Sequence, residues 1–293
     1  MARTVLGIIG GSGVYAMAGL ENVREQRIAS PWGEPSDALR IGTLEGVDMV
    51  FLARHGRRHT LSPSDINYRA NIDALKRAGV TDVISLSACG SLQEKLSPGT
   101  FVLVDQFIDR TFARAKSFFG KGLVAHVSMA QPVCPRLVDA LEASASAEGI
   151  PYHRGGVYLA MEGPQFSSLA ESQLYRSWGC DVIGMTNMPE AKLAREAELP
   201  YASVAMVTDY DCWHPGHAHV EVANVIQVMR ENAAKAQALV RAVAPLLGPN
   251  RKPSPLGIET TLDTAIITAP EARDQALVRK LDAVAGRVLG KEF

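Results

Sequence analysis

Six short stretches of this chain gather the side chains that chemistry needs. Gly10-Gly11-Ser12-Gly13 follows a β-branched, apolar run from Thr4 to Ile9. A strand thus delivers a tight glycine loop, whose main-chain amides can approach an anion closely while Ser12 adds a hydroxyl. Such a loop can also open a dinucleotide fold, but the spacing is not a clean Gly-x-Gly-x-x-Gly, and no acidic residue ends a second strand at about twenty residues. Ala53-Arg54-His55-Gly56-Arg57-Arg58-His59 packs three arginines and two histidines into a loop directly after a predicted strand, where open α/β sheets bind ligands. A guanidinium offers a planar fork to phosphate oxygens, and a histidine beside it can donate to a third oxygen. A solvated basic loop is the plainer account of the same residues.

Ser87-Ala88-Cys89-Gly90-Ser91 is read as a small, hydroxyl-bearing turn at another strand end, suited to an anion contact or to no function at all. Met161-Glu162-Gly163-Pro164-Gln165-Phe166 places an aromatic ring beside a Gly-Pro turn, where it can stack on a planar base, although such rings are more often core. Gly184-Met185-Thr186 sets a hydroxyl before a helix N-terminus, an oxyanion position or simply an N-cap. Val207-Thr208-Asp209-Tyr210-Asp211 closes a strong strand with carboxyls at i and i+2. Acids whose pKa is raised can give a proton to a leaving group. His214, His217 and His219 follow in a Pro-Gly turn that offers no set ligand geometry, so no metal site is expected. The Arg-His-Gly of the second stretch also resembles enzymes that pass phosphate through a phosphohistidine, but there it is expected after the first strand, and here it follows the second.

The elements that must position these groups alternate. Met49–Leu52, Val83–Leu86, Phe101–Val104 and Ala202–Met206 are continuous apolar runs, expected of strands covered on both faces. Between the first two, Asn67 to Gly79 has helical spacing, with Tyr68, Ile72 and Leu75 on one face. A second helix is predicted near Pro189 and a third from about His219 to Leu247. The prolines and glycine of 248–255 end the main domain, giving residues 1–248 as one α/β domain and 249–293 as a linker and C-terminal helical extension. In that extension Thr268 and Glu271 have capping-box spacing, and Leu277, Leu281, Val284 and Val288 form a stripe that needs burial on the domain or on a neighbouring subunit.

Composition narrows the partners. Thirty basic and 31 acidic residues in a chain of 293 leave a net charge of −1, which gives no field to draw it onto nucleic acid or an anionic membrane. No apolar stretch approaches a bilayer span, and the four cysteines form no Cys-x-x-Cys pair; a cytoplasmic protein with buried free thiols is expected.

Taken together and in order, Gly10–Gly13, Ala53–Gly56, Asn67-Tyr68-Arg69-Ala70-Asn71, Ala88–Ser91, Asp105-Gln106-Phe107-Ile108-Asp109-Arg110-Thr111, Glu162–Pro164, Gly184–Thr186 and Thr208–Trp213 resemble the methylthioadenosine phosphorylases, a trimeric type within the purine nucleoside phosphorylase superfamily. The likeness runs from about Val5 to Leu247 and leaves the tail beyond Pro249 uncovered. It implies a single nucleoside-phosphorylase domain with a mixed, distorted central sheet flanked by helices, assembled as a homotrimer or a dimer of trimers. It also implies phosphorolysis of 5'-methylthioadenosine, with inorganic phosphate as co-substrate and no cofactor or metal.

By the same resemblance Ser12, Arg54, His55, Ser87, Ala88 and Thr186 form the phosphate site, with Ser12 and Ser87 where many relatives carry threonine. Met185 contacts the ribose and Phe166 packs on the base. Asp209, supported by Asp211, assists purine departure at N7. An asparagine would suit a 6-oxopurine, so aspartate favours a 6-aminopurine. Val222, Val225 and Ile226 surround an apolar 5' substituent, and His126 comes from the adjoining subunit. The rivals are a phosphorylase of methylthioinosine or of general purine nucleosides, which the two aspartates disfavour, and a non-catalytic nucleoside-binding protein, which has no need of the phosphate set.

Overall fold

A computed structural model of the chain describes residues 3–11, 13, 17–216, 222–248 and 251–290, with the side chains of 222–225 outside the description. Its strands are β1 (Val5–Gly10), β2 (Glu21–Gln26), β3 (Leu39–Leu44), β4 (Val47–Ala53), β5 (Asp82–Ser91), β6 (Phe101–Val104), β7 (Gln106–Asp109), β8 (Tyr152–Arg154), β9 (Val157–Ala160), β10 (Val182–Gly184) and β11 (Tyr201–Asp209). Its helices are α1 (Tyr68–Arg77), α2 (Pro135–Ala147), α3 (Leu169–Ser177), α4 (Asn187–Glu196), α5 (Val222–Leu247), α6 (Gln275–Lys280) and α7 (Asp282–Leu289).

All the described strands belong to one mixed sheet, and its apolar runs are explained by burial on both faces. In β4, Val50 and Leu52 enter one core, shared with α1, α4 and the tail, while Val47, Met49, Phe51 and Ala53 enter a second, shared with α2 and α5. The two-residue period of a strand thus feeds two cores at once, and each face needs its own cover of helices.

Strand β5 is the branch point that distorts the sheet. Its first half lies parallel between β1 and β11. Past Ser85 it leaves β1, and Gly90 and Ser91 pair instead with the antiparallel β10. The expected turn at 87–91 is therefore strand, because β10 and β11 supply ladder partners there. The register sets Val182 opposite Ser91 and Ile183 opposite Gly90; continued two or three steps, it brings the start of α4 beside Ser87. A bulge between Val207 and Asp209 then turns the end of β11 toward the same place.

The helix from Asn67 stands as expected, with Asn67 capping the Ala70 amide. In α4, Met188 is non-helical, so regular helix starts at Pro189. The tail stripe packs on the domain itself: Leu281 and Val284, with Ala285 and Leu289, are buried in the core that holds α1 and α4, and Leu277 and Val288 lie half-buried against it. The Thr268–Glu271 capping box does not form. Thr268 Oγ1 accepts from the Val124 amide, and the helix is capped instead by Asp274, whose carboxylate accepts from Ala276 and Leu277. All four cysteines are free; three are buried as expected, and Cys212 is half-buried. Among the described residues no helix is long and apolar enough to cross a membrane.

Candidate active site

Strand ends converge where β5 branches. Ser87 Oγ lies 3.3 Å from Thr186 Oγ1 and 3.3 Å from Tyr158 Oη. Thr186 precedes α4 and spends no side-chain bond on capping it, so two hydroxyls face one spot. Ala88 is the next residue of β5. Ser12 lies outside the described residues.

Arg54 enters from the end of β4 and is buried. Its guanidinium does not present an open fork. Nε and Nη2 donate to Glu190 at 2.8 and 3.1 Å, Nη2 also donates to Ser85 Oγ at 2.6 Å, and Nη1 donates to Leu86 O at 3.1 Å. Among the described residues these contacts take four of its five donors, leaving one N–H and a charge fixed by burial beside a carboxylate. Glu190 is in turn held by Ser85 at 2.6 Å and Tyr201 at 2.9 Å.

His55 departs from the expectation of a donor. Its Nδ1 sits 2.9 Å from Leu61 O, and a carbonyl can only accept, so Nδ1 carries the hydrogen. Burial, aided by the Arg54 charge, pushes the ring down to about 4; at neutral pH the imidazole is uncharged and Nε2 is an acceptor.

Asp209 ends β11, and Asp211 follows with φ of 52°, a left-handed conformation that aspartate tolerates. That turn points the Asp211 amide back at Asp209 Oδ1, 2.8 Å away. Thr208 Oγ1 lies 2.7 Å from Asp209 Oδ2 and 3.1 Å from Cys89 O. Burial raises the Asp209 carboxyl, partly offset by the Thr208 hydroxyl and the Asp211 amide. Asp211 is also raised, by burial and by the Asp209 carboxyl. Space for the pair comes from Gly90: a Cβ there would stand 3.0 Å from Asp209 Oδ1 and 3.4 Å from Asp211 Cβ.

Two glycines make room around Met185: Gly163 seats its half-buried side chain, and Gly184 lets the strand before it lie against Tyr158. At Gly163 (φ +68°) a Cβ would meet Met185 Sδ at 2.4 Å, and at Gly184 it would meet Tyr158 Oη at 1.9 Å. Phe166 is 50% exposed, which removes it from the core and leaves its ring available. Ile226 is exposed on the first turns of α5; the side chains of Val222 and Val225 lie outside the described residues. His126 is exposed, with its amide bonded to Ala265 O on the tail. In the histidine turn, His214 meets Glu94 and stacks on Tyr210, while His217 and His219 lie outside the described residues.

Ser85, Tyr158, Glu190 and Arg114 were not singled out from sequence. Arg54 and Glu190 are separated by 136 positions, and no local spacing announces such a pair. Glu162 accepts from the amides of Phe112 and Ala113 and from Arg114.

The sheet branches at β5, with the hydroxyls of Ser87 and Thr186 and the raised carboxyls of Asp209 and Asp211 at its strand ends, and the phosphorylase superfamily model matches residues 5–245. The chain belongs to that superfamily. More particularly, it is 65% identical over 289 residues to the S-methyl-5'-thioadenosine phosphorylase of Bradyrhizobium diazoefficiens, covering 99% of both chains. It is 64% identical over 288 residues to the enzyme of the same name from Rhodospirillum rubrum, covering 98% of each. Among solved structures, a methylthioadenosine phosphorylase from an antarctic soil metagenomic library superposes with a TM-score of 0.91 at 46% identity, over 97% of this chain and 99% of that one. The methylthioadenosine phosphorylase of Schistosoma mansoni in complex with adenine gives 0.84 at 35% identity, over 93% and 99%.

Proposed function

We propose that this chain catalyses phosphorolysis of 5'-methylthioadenosine to adenine and 5-methylthioribose 1-phosphate. The observation that carries the choice of base is Asp209, a half-buried carboxyl raised from its ordinary value at the end of β11. The names of the relatives support the same substrate.

Phosphate sits between Ser87, Ala88, Thr186, His55 and Ser12, within the field of Arg54. Arg54 acts through one N–H and its charge, because Glu190 holds the rest. A phosphate oxygen attacks C1' of the ribose as the bond to N9 breaks, and the bonding pair leaves with the purine. That pair is stabilised when N7 receives the proton or hydrogen bond of Asp209, and burial shifts the Asp209 carboxyl in the direction that favours holding that proton. Asp211 holds Asp209 through its amide. Met185 contacts the ribose, Phe166 covers the base, and Val222, Val225 and Ile226 take the methylthio group.

Phosphate is the co-substrate on this reading, and neither organic cofactor nor metal takes part. A homotrimer in the cytoplasm supplies His126 to the neighbouring site. Phe112, Leu169 and Trp178, all exposed and apolar, support a subunit contact.

The test is release of free base from methylthioadenosine, methylthioinosine, adenosine and inosine, each with and without phosphate. Phosphate-dependent adenine release, fastest from methylthioadenosine, is expected, and Asp209→Ala should lower kcat far more than phosphate affinity. Hypoxanthine release alone would refute the role given to Asp209, and no release from any of the four would favour a binding protein.

A further inference from the structure

Beyond the residues that touch substrate, Arg114 stands out. It lies in the loop after β7, its side chain is 1% exposed, and every group it meets belongs to a segment that frames the site. Nη1 donates to Met188 O at 2.7 Å, to Met185 O and to Tyr68 Oη at 3.2 Å. Nη2 donates to Glu162 O at 2.7 Å and reaches Met161 O at 3.5 Å. Nε donates to Glu162 Oε1 at 3.3 Å.

These acceptors come from three places: the segment after β9, the segment after β10 and the first residue of α1. The ladder joining β9 to β10 pairs Ala160 with Gly184 and ends on one further bond, from the Met161 amide to Gly184 O. Past that rung the two chains diverge, one toward Phe166 and the other toward Met185 and Thr186. Beside the packing of Gly163 on Met185, Arg114 is the next hydrogen-bonded connection between them among the described residues. Carbonyls beyond a ladder's end would otherwise be buried without donors, at a cost that a single planar fork removes for several at once.

We propose that Arg114 is a positioning residue for the reaction: its guanidinium continues the β9–β10 ladder and fixes the 161–166 segment against the 185–188 segment, so setting the purine-covering ring and the ribose contact at a constant separation. This rests on the placing of Met185 and Phe166 in the nucleoside site. It touches no substrate, and its effect falls more on the nucleoside than on phosphate: of the phosphate set only Thr186 lies in a segment that Arg114 holds, while Ser87 and Arg54 are held by other partners.

The experiment compares wild type with Arg114→Ala and Arg114→Lys, using kinetics in both substrates and hydrogen–deuterium exchange of residues 161–166 and 185–188. The expected result is a loss of kcat/KM for the nucleoside of about 100-fold in Arg114→Ala, the scale of a misplacement near 1 Å. The phosphate KM should change by much less than the nucleoside kcat/KM, because of the phosphate set only Thr186 lies in a segment that Arg114 holds. Guanidinium ion at millimolar concentration should restore part of the lost rate in Arg114→Ala, and methylammonium should not, since only the planar fork matches the acceptors. Arg114→Lys keeps the charge without the fork and should resemble the alanine variant; it also serves if Arg114→Ala fails to fold. Exchange in both segments should rise at least about tenfold. Equal losses in the two substrates, wild-type exchange in the two segments of a folded variant, or rescue by methylammonium as good as by guanidinium would each overturn the proposal. Exchange needs no turnover, so a wild-type protein inactive on methylthioadenosine would defeat the substrate assignment while the exchange comparison still decides the role of Arg114.

Discussion

Adding one methyl group at Gly184 should disable the site without touching any group that meets substrate. In Gly184→Ala the new Cβ would stand 1.9 Å from Tyr158 Oη and 2.6 Å from Tyr158 Cζ. A relaxed contact needs roughly 3.5 Å, so the shortfall is about 1.6 Å at the hydroxyl and about 0.9 Å at the ring carbon. Tyr158 is fully buried and cannot swing away, so β10 must yield, carrying Met185 and Thr186 with it. Overpacking of this kind costs about 1–3 kcal/mol of stability, and each kcal/mol lowers Tm by about 2–4 °C in a chain approaching this size. A displacement near 1 Å at the reacting groups lowers kcat/KM about 100-fold. Tyr158→Phe removes the worse contact but leaves the ring, so the double variant Gly184→Ala/Tyr158→Phe should recover only part of the loss. Steady-state kinetics in both substrates together with calorimetric Tm would measure this cycle. A Gly184→Ala enzyme within twofold of wild type in kcat/KM would refute the close packing of β10 on Tyr158 as the determinant of the site.

Other perturbations follow from the same geometry. Because His55 Nδ1 is spent on Leu61 O, Nε2 can only accept, and it suits the proton of hydrogen phosphate; sulfate, which has none at neutral pH, should compete with a Ki about tenfold or more above the phosphate KM, since an unmade hydrogen bond costs about 1–3 kcal/mol. Equal affinities would show that Nε2 does not read the anion. Burial raises Glu196 from 4.5 to about 7, so between those values the folded protein holds a proton that the unfolded chain has lost, and stability falls as pH rises through that window. The full effect is about 3 kcal/mol at most. Glu196→Gln should flatten the fall in Tm between pH 5 and 8, and an unchanged slope would place the titration elsewhere.

The paired cores explain which parts of the fold were legible. Strands β1, β4, β5, β6 and β11 are apolar on both faces and announce themselves. Strand β2, Glu21–Gln26, is exposed at every position, and β8 and β10 are three residues long, so neither shows a pattern to read. At the site, Asp209 was legible because it ends a strong strand, and Thr186 because it precedes a helix. The extension of β5 through Ser87 was not, since small residues there look like a turn until β10 and β11 are present to pair with them. Glu190 and Arg114 were missed because their significance lies in partners distant along the chain. His55 was legible as a residue but not as a donor or acceptor, a choice made by one carbonyl six positions away.

The tail changes what losing the end of the gene would mean. Arg251 is bonded to the fully buried Asp82, and the buried Glu198 takes its bonds from Arg287 and from the Leu262 amide. A premature stop after the last turn of α5 would strip Glu198 of those partners and bare the face of α1 and α4 on which Leu281 and Val284 rest. Stranding a buried carboxylate costs about 3–5 kcal/mol, against a total stability of about 5–15 kcal/mol. Such a lesion would be met by proteolysis and aggregation before any deficit in turnover appeared, even though every residue proposed to contact substrate would still be encoded.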